Sequence, residues 1–449
     1  MPAAIRTEIR ATLAIAAPLA AANLAQIAMG VTDTVMIGSL GGVPLAAVGL
    51  GGGFYFVSAV ICQGVLNAVA PLSAFAIGAG DRRAAGTVAG SGLVLAVLLV
   101  PLVVGAMMVA DRLLDLLGYD PALAREIGRF LRAVAWGTPG FLGFAVLRSL
   151  LASLSRARAV MIVLALCVPT LVGLNWILIF GHLGAPRLGL VGCAYASALN
   201  QWLMFLGLAA ALWAVPRDDP ARRLRAAPAV IVGDIRRILA LGLPIGGMQA
   251  LEIGVFVFSA AVMGLFGADA LAAHQIAINV ASISFMVPLG IGQAATVRIA
   301  AERGAGKPRD AVNAGYVALG LGMLFMAASA VALWTLTRPI VGAYVAAGDP
   351  ANAALVGFAL EFLKIAALFQ IVDGMQTVAA GALRGYEDTT VPMLLAGLGY
   401  WAVGFAGGWA LAFPLGVGPT GLWWGFVLGL ATVAVLLTAR LFRQSRQVT

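Results

Sequence analysis

The chain has 449 residues, of which 62% are hydrophobic and only 10% are charged. Soluble domains carry roughly 25% charged residues, so the composition excludes a series of water-soluble globular domains. The net charge of +9 comes from basic residues in short segments between long apolar stretches, a pattern that requires no nucleic-acid partner. Because a helix needs about 20 apolar residues to cross a bilayer, these stretches indicate a polytopic α-helical membrane protein.

The apolar segments follow one another along the whole chain. The predicted fold class is an all-α membrane protein with about 12 transmembrane helices in two pseudo-symmetric six-helix bundles around a central cleft. The predicted spans are residues 12–35, 45–70, 88–110, 123–150, 159–181, 188–214, 237–264, 270–297, 311–336, 352–384, 391–414 and 419–440.

The 28 lysines and arginines are distributed unevenly between the two sides that these spans define. Most lie on the side of both termini, and the few on the opposite side are Arg112, Arg125, Arg129, Arg132, Arg187 and Arg338. By the positive-inside rule, both termini are predicted to be cytoplasmic. We expect a multi-pass protein of the bacterial inner membrane, in contact with the lipid bilayer and monomeric.

The two halves of the chain resemble each other at a constant offset of 226 residues. Pro18 aligns with Pro244, Gly41 with Gly267, and Leu45-Ala46-Ala47 with Leu271-Ala272-Ala273; further matched glycines extend the alignment over nearly seventy residues. A parallel repeat of six helices is one of the arrangements known in transporters. The predicted domains are an N-terminal lobe at 1–215, a cytoplasmic linker at 216–235 and a C-terminal lobe at 236–449.

Three carboxylates lie inside predicted spans: Asp33, Glu252 and Asp373. At 1.5 Å rise per residue, Glu252 lies about 22 Å from Arg237, and Asp373 lies about 16 Å from Arg384, which places both deep in the membrane. A charge at the bilayer centre costs roughly 2.5–3.5 kcal/mol on insertion scales, so such groups usually face a cavity and serve a function. The structural alternative is that each carboxylate pairs with a buried base or caps a helix.

Polar side chains at helical spacing accompany these carboxylates. Asn23 and Gln26 share a face with Asp33, and the repeat places Gln249, Glu252 and Ser259 at the matched positions. We predict a polar cavity lining of Asn23, Gln26, Gln249, Ser259, Gln275, Asn279, Gln370 and Thr377. On the tenth span, Glu361 and Lys364 are three residues apart and are predicted to form a local ion pair.

No enzyme motif is found: the sequence has no HExxH, no nucleophile elbow and no phosphate-binding glycine loop, so we expect neither an enzyme nor a bound cofactor. The segments around the three carboxylates resemble the multidrug and toxic compound extrusion (MATE) family, and its bacterial NorM-like branch in particular. They are AQIAMGVTDTVMIGSLG (25–41), ALEIGVFVFSAAVMGLFGADALAAHQIAIN (250–279) and FQIVDGMQTVAAGALRGYEDTTVPM (369–393).

This resemblance implies secondary active efflux of cationic, amphipathic drugs or dyes in exchange for Na⁺ or H⁺, and hence antibiotic resistance. In NorM-like members the carboxylates matched by Glu252 and Asp373 are implicated in Na⁺ coupling, and the one matched by Asp33 in proton-linked transport. Coordination chemistry by itself leaves both ions open, because two nearby carboxylates are neutralised either by a metal ion or by a proton. The acid at position 252 favours Na⁺, bound by Glu252 and Asp373.

Two other functions remain for comparison. A receptor or scaffold without transport has little support in the sequence. A lipid-linked saccharide flippase of the same wider superfamily is the main alternative. Such a flippase is expected to place basic residues around a pyrophosphate, whereas the candidate cavity residues here are acidic.

Overall fold

The structure is a computed structural model that describes residues 3–116, 118, 120–346 and 348–448. Within these residues there is no β-strand, and 12 helical stretches are long and apolar enough to cross a membrane. Each stretch overlaps one predicted span, which confirms the all-α membrane fold. In a bilayer the backbone has no water to bond, so helices that satisfy their own amides are the expected solution for such a sequence.

The described residues of the first half of the chain form nine α-helices. Spans two and four are each built from two of them, and α5 is a short additional helix. The helices are α1 (Ala3–Gly38), α2 (Gly42–Leu66), α3 (Val69–Gly78), α4 (Arg82–Met108), α5 (Ala110–Leu116), α6 (Pro121–Val134), α7 (Thr138–Ser153), α8 (Ala157–Phe180) and α9 (Gly189–Trp213).

Where the structure describes the second half, it has eight α-helices, among which α13 is short. Span eleven consists of α15 and α16 with a π-helix, Leu398–Phe405, between them. The helices are α10 (Pro228–Met263), α11 (Ala268–Gly304), α12 (Pro308–Thr335), α13 (Thr337–Tyr344), α14 (Ala353–Gly385), α15 (Thr390–Gly397), α16 (Ala406–Ala412) and α17 (Pro419–Val448).

Several helices are longer than the predicted spans. Helix α1 begins at Ala3, α10 begins at Pro228 and α11 continues to Gly304. Hydropathy detects only the part of a helix that lies in the hydrocarbon, about 30 Å thick, whereas local capping decides where the helix ends. Asp81 illustrates this point, because its carboxylate accepts a hydrogen bond from the Ala84 amide and so fixes the start of α4.

The repeat seen in the sequence is present in the backbone. Gly41 and Gly267 both have positive φ, at 113° and 104°, in the turn before the next helix. Gly80 and Gly306 also match, with φ of 82° and 70°. Residues with a Cβ rarely adopt these angles, so each half uses glycine at the same turn for the same steric reason.

The chain folds into two compact units. One unit contains residues 21–246, and the other contains residues 1–20 and 247–449. The chain passes from one unit to the other after Ala20 and again after Gly246, and these two positions differ by the repeat offset of 226 residues. The first helix of each half therefore begins in one unit and continues into the other.

Span eleven, in the second unit, is held in place by close packing of its glycines against α17. Gly408 on α16 and Gly425 on α17 are so close that a Cβ on Gly425 would lie 2.4 Å from the Gly408 Cα. Gly404 and Gly429 meet in the same way, at 2.6 Å. The π-helix Leu398–Phe405 lies along this seam, and single-turn π segments inside α-helices are frequent at functional sites.

Candidate functional site

Two of the three predicted carboxylates share one hydrogen-bond donor in the second unit. Nε2 of Gln376 donates to Oε1 of Glu252 at 3.2 Å and to Oδ1 of Asp373 at 3.1 Å. Asp373 is only 5% exposed, and Glu252 is half-buried. The structure thus brings together α10 and α14 at the two acids that the sequence analysis selected, and a neutral amide bridges them.

Span eleven holds this bridging amide in place. The hydroxyl of Tyr400, a fully buried residue of the π-helix, donates to Oε1 of Gln376. The neighbouring Trp401 donates from Nε1 to the Leu251 carbonyl at 3.2 Å. Because the Tyr400 hydroxyl is hydrogen-bonded to the amide oxygen of Gln376, the amide nitrogen is directed at both carboxylates.

A positively charged side chain on the same span as Asp373 also interacts with this site. The half-buried guanidinium of Arg384, near the end of α14, attracts the carboxylate of Glu252 electrostatically. A single arginine balances one negative charge of the pair, so the second requires another cation or a proton. Arg384 is eleven residues after Asp373, about three helical turns farther along α14.

The predicted polar neighbours on α10 are in the same unit. Gln249, one turn before Glu252, has a buried Oε1 that accepts no hydrogen bond within the described residues. Ser259 is buried farther along the same helix. An unsatisfied buried oxygen beside a carboxylate is unfavourable by about 1–3 kcal/mol, and a bound cation would remove that penalty.

The remaining predicted lining residues of this unit are more scattered. Gln370 is buried and accepts a hydrogen bond from the Ser329 hydroxyl at 2.7 Å. Thr377 is half-buried next to Gln376, whereas Gln275 and Asn279 on α11 are exposed. No hydrogen bond between described residues connects these four side chains to Glu252 or Asp373.

The predicted ion pair on α14 does not form. Glu361 and Lys364 are both exposed, and the described residues contain no ion pair between them. Two flexible, exposed side chains gain little from such a contact, since their Coulomb attraction barely exceeds the entropy lost. Glu361 is therefore a carboxylate on the same helix as Asp373 but outside the bridged pair.

Asp33 has a polar cluster of its own in the first unit. Asn175 on α8 donates to its Oδ1 at 2.6 Å, and Ser197 on α9 donates to its Oδ2 at 2.7 Å. Asn175 is fully buried, and its own Oδ1 accepts no hydrogen bond within the described residues. The cluster therefore offers a carboxylate together with an available buried oxygen, which suits a proton or a small cation.

Asn23 and Gln26 contact an arginine rather than Asp33. Arg148 of α7, which is 9% exposed, donates to Oδ1 of Asn23 at 2.5 Å and to Oε1 of Gln26 at 3.2 Å. Gln26 and Glu252 are matched by the repeat, and each meets an arginine from the fourth span of its own half. The first unit has a neutral amide where the second unit has an acid.

Several of these partners were missed by the sequence reasoning. Gln376 lies one helical turn after Asp373 and was detectable from that spacing, although Thr377 was chosen instead. Arg148 lies within the predicted fourth span, but its position in the sequence does not show that it contacts Asn23 and Gln26. Asn175 had no local signal, since it is an isolated polar residue in an apolar helix. Ser197 shares a face of α9 with Asn200 and Gln201, three and four residues later, and was detectable from that spacing.

Comparison with known proteins identifies the family. Residues 18–177 and 244–410 match the family described as MatE. The chain belongs to the MATE family. The predicted family is thus confirmed, and both carboxylate sites fall within the matched segments.

Relatives of similar length support the assignment. The multidrug resistance protein NorM of Burkholderia vietnamiensis is 44% identical, covering 96% of this chain and 92% of the relative. A probable multidrug resistance protein NorM of Mesorhizobium japonicum is 41% identical, covering 98% and 95%. The MATE chain is thus similar to NorM proteins along nearly its whole length.

Solved structures show the same fold. The eukaryotic MATE transporter AtDTX14 superposes with a TM-score of 0.88 at 21% identity, covering 99% of both chains. An outward-facing multidrug resistance MATE family transporter of the MOP superfamily superposes with a TM-score of 0.87 at 20% identity, covering 98% of this chain and 96% of the other. At these identities the likeness concerns the fold.

Proposed function

We propose that this MATE protein is a secondary active multidrug exporter that exchanges cationic, amphipathic drugs or dyes for a coupling cation by alternating access. The observation that carries the proposal is the carboxylate pair of Glu252 and Asp373, bridged by one amide nitrogen within membrane-spanning helices. The NorM names of relatives that align along nearly the whole chain support drugs as the substrate class.

The carboxylate pair supports cation exchange for a physical reason. Two negative charges in a low-dielectric environment repel each other and lose hydration, so the empty site is unfavourable unless a cation or proton binds. Arg384 offsets only part of the charge. A site that must be neutralised but can accept alternative cations provides the competition that antiport requires, since the drug and the coupling ion are both positive.

We assign Na⁺ as the coupling ion, bound in the second unit by Glu252 and Asp373. A hard cation prefers several oxygen ligands, and the unsatisfied Oε1 of Gln249 adds a neutral oxygen on the helix that carries Glu252. H⁺ is the alternative, and it needs only one carboxylate. Asp33, with its donors Asn175 and Ser197, is then the leading coupling residue.

A gradient experiment distinguishes these ions. Purified protein in liposomes loaded with a fluorescent organic cation is given either a Na⁺ gradient at equal pH or a pH gradient without Na⁺. We expect the Na⁺ gradient to drive dye exchange, and Glu252→Gln to abolish that exchange. Exchange that responds only to the pH gradient would refute Na⁺ coupling. No dye movement under either gradient, with correctly folded protein, would refute drug export itself.

We also propose that both termini and the linker before α10 are cytoplasmic, in the inner membrane of a bacterium. Single cysteines are introduced into the linker at Arg217 and into the opposite loop at Gly42, after replacement of the three native cysteines. An impermeant thiol reagent added to intact cells should label only the Gly42→Cys variant. Labelling of Arg217→Cys from outside would reverse the proposed orientation.

The second candidate function is a flippase for lipid-linked saccharides. One observation favours it: Arg148 is a buried cation inside a membrane span, and guanidinium groups recognise phosphate. Asn23 and Gln26 already accept hydrogen bonds from that side chain, however, so it is engaged within its own unit. Reconstituted protein that moves a fluorescent polyprenyl-pyrophosphate saccharide, but no organic cation, would support the flippase instead.

A further inference from the structure

The linker between α9 and α10 packs against the beginning of α4. A Cβ added at Gly90 would lie 1.7 Å from the Leu224 carbonyl oxygen, and one added at Gly86 would lie 2.6 Å from the Ala221 carbonyl oxygen. Only glycine allows the linker backbone to approach the helix this closely. The course of this linker is therefore determined by two glycines, one helical turn apart, on the helix beneath it.

An ion pair anchors the linker at a second point. Arg82 binds both carboxylate oxygens of Asp219, at 3.0 Å from Nε to Oδ1 and at 2.6 Å from a terminal nitrogen to Oδ2. Oδ1 of Asp219 also accepts from the Ala221 amide at 3.0 Å. The Arg82 guanidinium lowers the pKa of Asp219 from its ordinary value, so the pair stays charged at neutral pH.

These anchors leave a basic cavity of about 450 Å³, which we call the linker pocket, lined by Arg83, Arg222, Arg223, Leu224 and Arg225. Arg222 donates to the Val215 carbonyl at 3.4 Å. The other three arginines are exposed, and none of their guanidinium groups forms a hydrogen bond or ion pair within the described residues. The pocket therefore concentrates four positive charges without an internal anion.

Nearby carboxylates do not neutralise the linker pocket. Asp219 is engaged by Arg82, and Asp81 accepts a hydrogen bond from the Ala84 amide at the start of α4. Asp218 is exposed in the linker, and Asp234 on α10 accepts a hydrogen bond from the Ser91 hydroxyl of α4 at 3.0 Å; neither is among the residues that line the cavity. Like charges held this close repel one another, and an external anion would relieve the repulsion.

The position of the pocket indicates where the anion comes from. Gly90, which the Leu224 backbone approaches, is the third residue of the predicted span 88–110, so the pocket lies at the membrane surface. Farther along α4, the apolar side chains of Val97, Leu98 and Leu102 are exposed, at 62–66%. The same helix therefore presents a charged pocket at the surface and an uncovered apolar face below it, as a phospholipid requires.

We infer that the linker pocket binds the phosphate of an anionic phospholipid headgroup, with an acyl chain along the exposed face of α4. Guanidinium groups bind phosphate oxygens through paired hydrogen bonds, and basic pockets on the cytoplasmic side of membrane proteins are a recurrent form of lipid recognition. This site lies outside the carboxylate clusters, so the lipid is a stabilising ligand of the first unit rather than a transported substrate.

The test measures lipid binding to the purified, full-length protein. Thermal unfolding and native mass spectrometry are followed in neutral detergent while phosphatidylglycerol or phosphatidylcholine is added. We expect phosphatidylglycerol, but not phosphatidylcholine, to raise the melting temperature and remain bound. Replacing Arg83, Arg223 and Arg225 together by glutamine should weaken phosphatidylglycerol binding roughly a hundredfold, since each such arginine contributes about fivefold.

A matched control separates this pocket from general surface charge. Arg309, Arg443 and Arg446 are exposed arginines of the other unit, and their triple replacement by glutamine removes the same charge. This control should bind phosphatidylglycerol like the wild type. Equal weakening in both triple variants would overturn the site. If inorganic phosphate stabilises the wild type as well as the lipid does, the occupant is a soluble anion and the lipid proposal fails.

A glycine substitution tests whether the geometry of the pocket matters. Gly90→Ala keeps every arginine but forces the Leu224 backbone away, whereas Gly105→Ala on the same helix meets nothing within 4 Å. We expect Gly90→Ala to lose most of the lipid-dependent rise in melting temperature and Gly105→Ala to retain it. Unchanged lipid binding in a folded Gly90→Ala protein would show that no built pocket is involved; if this variant does not fold, the two arginine triples decide.

Discussion

Replacing Asp373 by asparagine removes one of the two negative charges at the bridged carboxylate pair while preserving the shape of the side chain. Oδ1 of the asparagine can still accept the hydrogen bond that Nε2 of Gln376 donates at 3.1 Å. The substitution therefore isolates the charge from the packing. The native residue is only 5% exposed, so water cannot easily replace the lost interaction with a bound cation.

The expected loss follows from the geometry of the bridge. Nε2 of Gln376 lies 3.2 Å from Oε1 of Glu252 and 3.1 Å from Oδ1 of Asp373, and a cation near that point would interact with both acids. At such a distance and an effective dielectric constant of about 20, one unit charge contributes about 5 kcal/mol of attraction. Asp373→Asn should therefore weaken coupling-ion binding by roughly a thousandfold or more.

The assay compares Asp373→Asn with Glu361→Gln, a substitution of an exposed carboxylate on the same helix. Both variants are purified, checked by size-exclusion chromatography and thermal unfolding, and reconstituted for cation binding and dye exchange. We expect Asp373→Asn to fold but to show neither saturable cation binding nor gradient-driven exchange, and Glu361→Gln to behave like the wild type. Normal exchange by folded Asp373→Asn protein would refute the assignment of the pair as the coupling site.

Three further predictions concern other parts of the molecule. Tyr400→Phe deletes the hydroxyl that orients the bridging amide and leaves a buried acceptor unsatisfied, at a cost of about 1–3 kcal/mol, so both the melting temperature and the dye-exchange rate should fall. Asp33→Asn should leave Na⁺-driven exchange intact, because Na⁺ is assigned to Glu252 and Asp373; loss of Na⁺-driven exchange in folded Asp33→Asn protein would contradict that assignment. Gly425→Val places a side chain against the Gly408 backbone and should give aggregated protein on size-exclusion chromatography, whereas Gly320→Val, with nothing within 4 Å, should remain monodisperse.

Much of the architecture was predictable because the bilayer imposes a simple rule on the chain. Each span must be apolar over about 20 residues, so hydropathy located all of them, and only their ends were wrong. The glycine turns at Gly41 and Gly267 were visible as repeat-matched residues before their matching φ angles were known. Buried charges are equally conspicuous in such a sequence, which is why Glu252 and Asp373 were selected and are found together.

The partners of those carboxylates were decided by tertiary structure. Gln376, Tyr400 and Glu252 come from three different spans, and hydropathy reports that a helix is in the membrane without saying which face meets which neighbour. The position of Tyr400 also depends on a π-helix, whose extra residue per turn shifts every later side chain and has no sequence signature.

The sequence by itself determined the membrane class, the repeat and the family, because these depend on composition and on the order of residues along the chain. Tertiary structure alone decided that Arg148 engages Asn23 and Gln26, and that the crossings between the units fall within the first helix of each half. The physical reason is that these features depend on side-chain contacts between distant segments. In a chain that is 62% hydrophobic, many helix faces are equally apolar, and only packing selects among them.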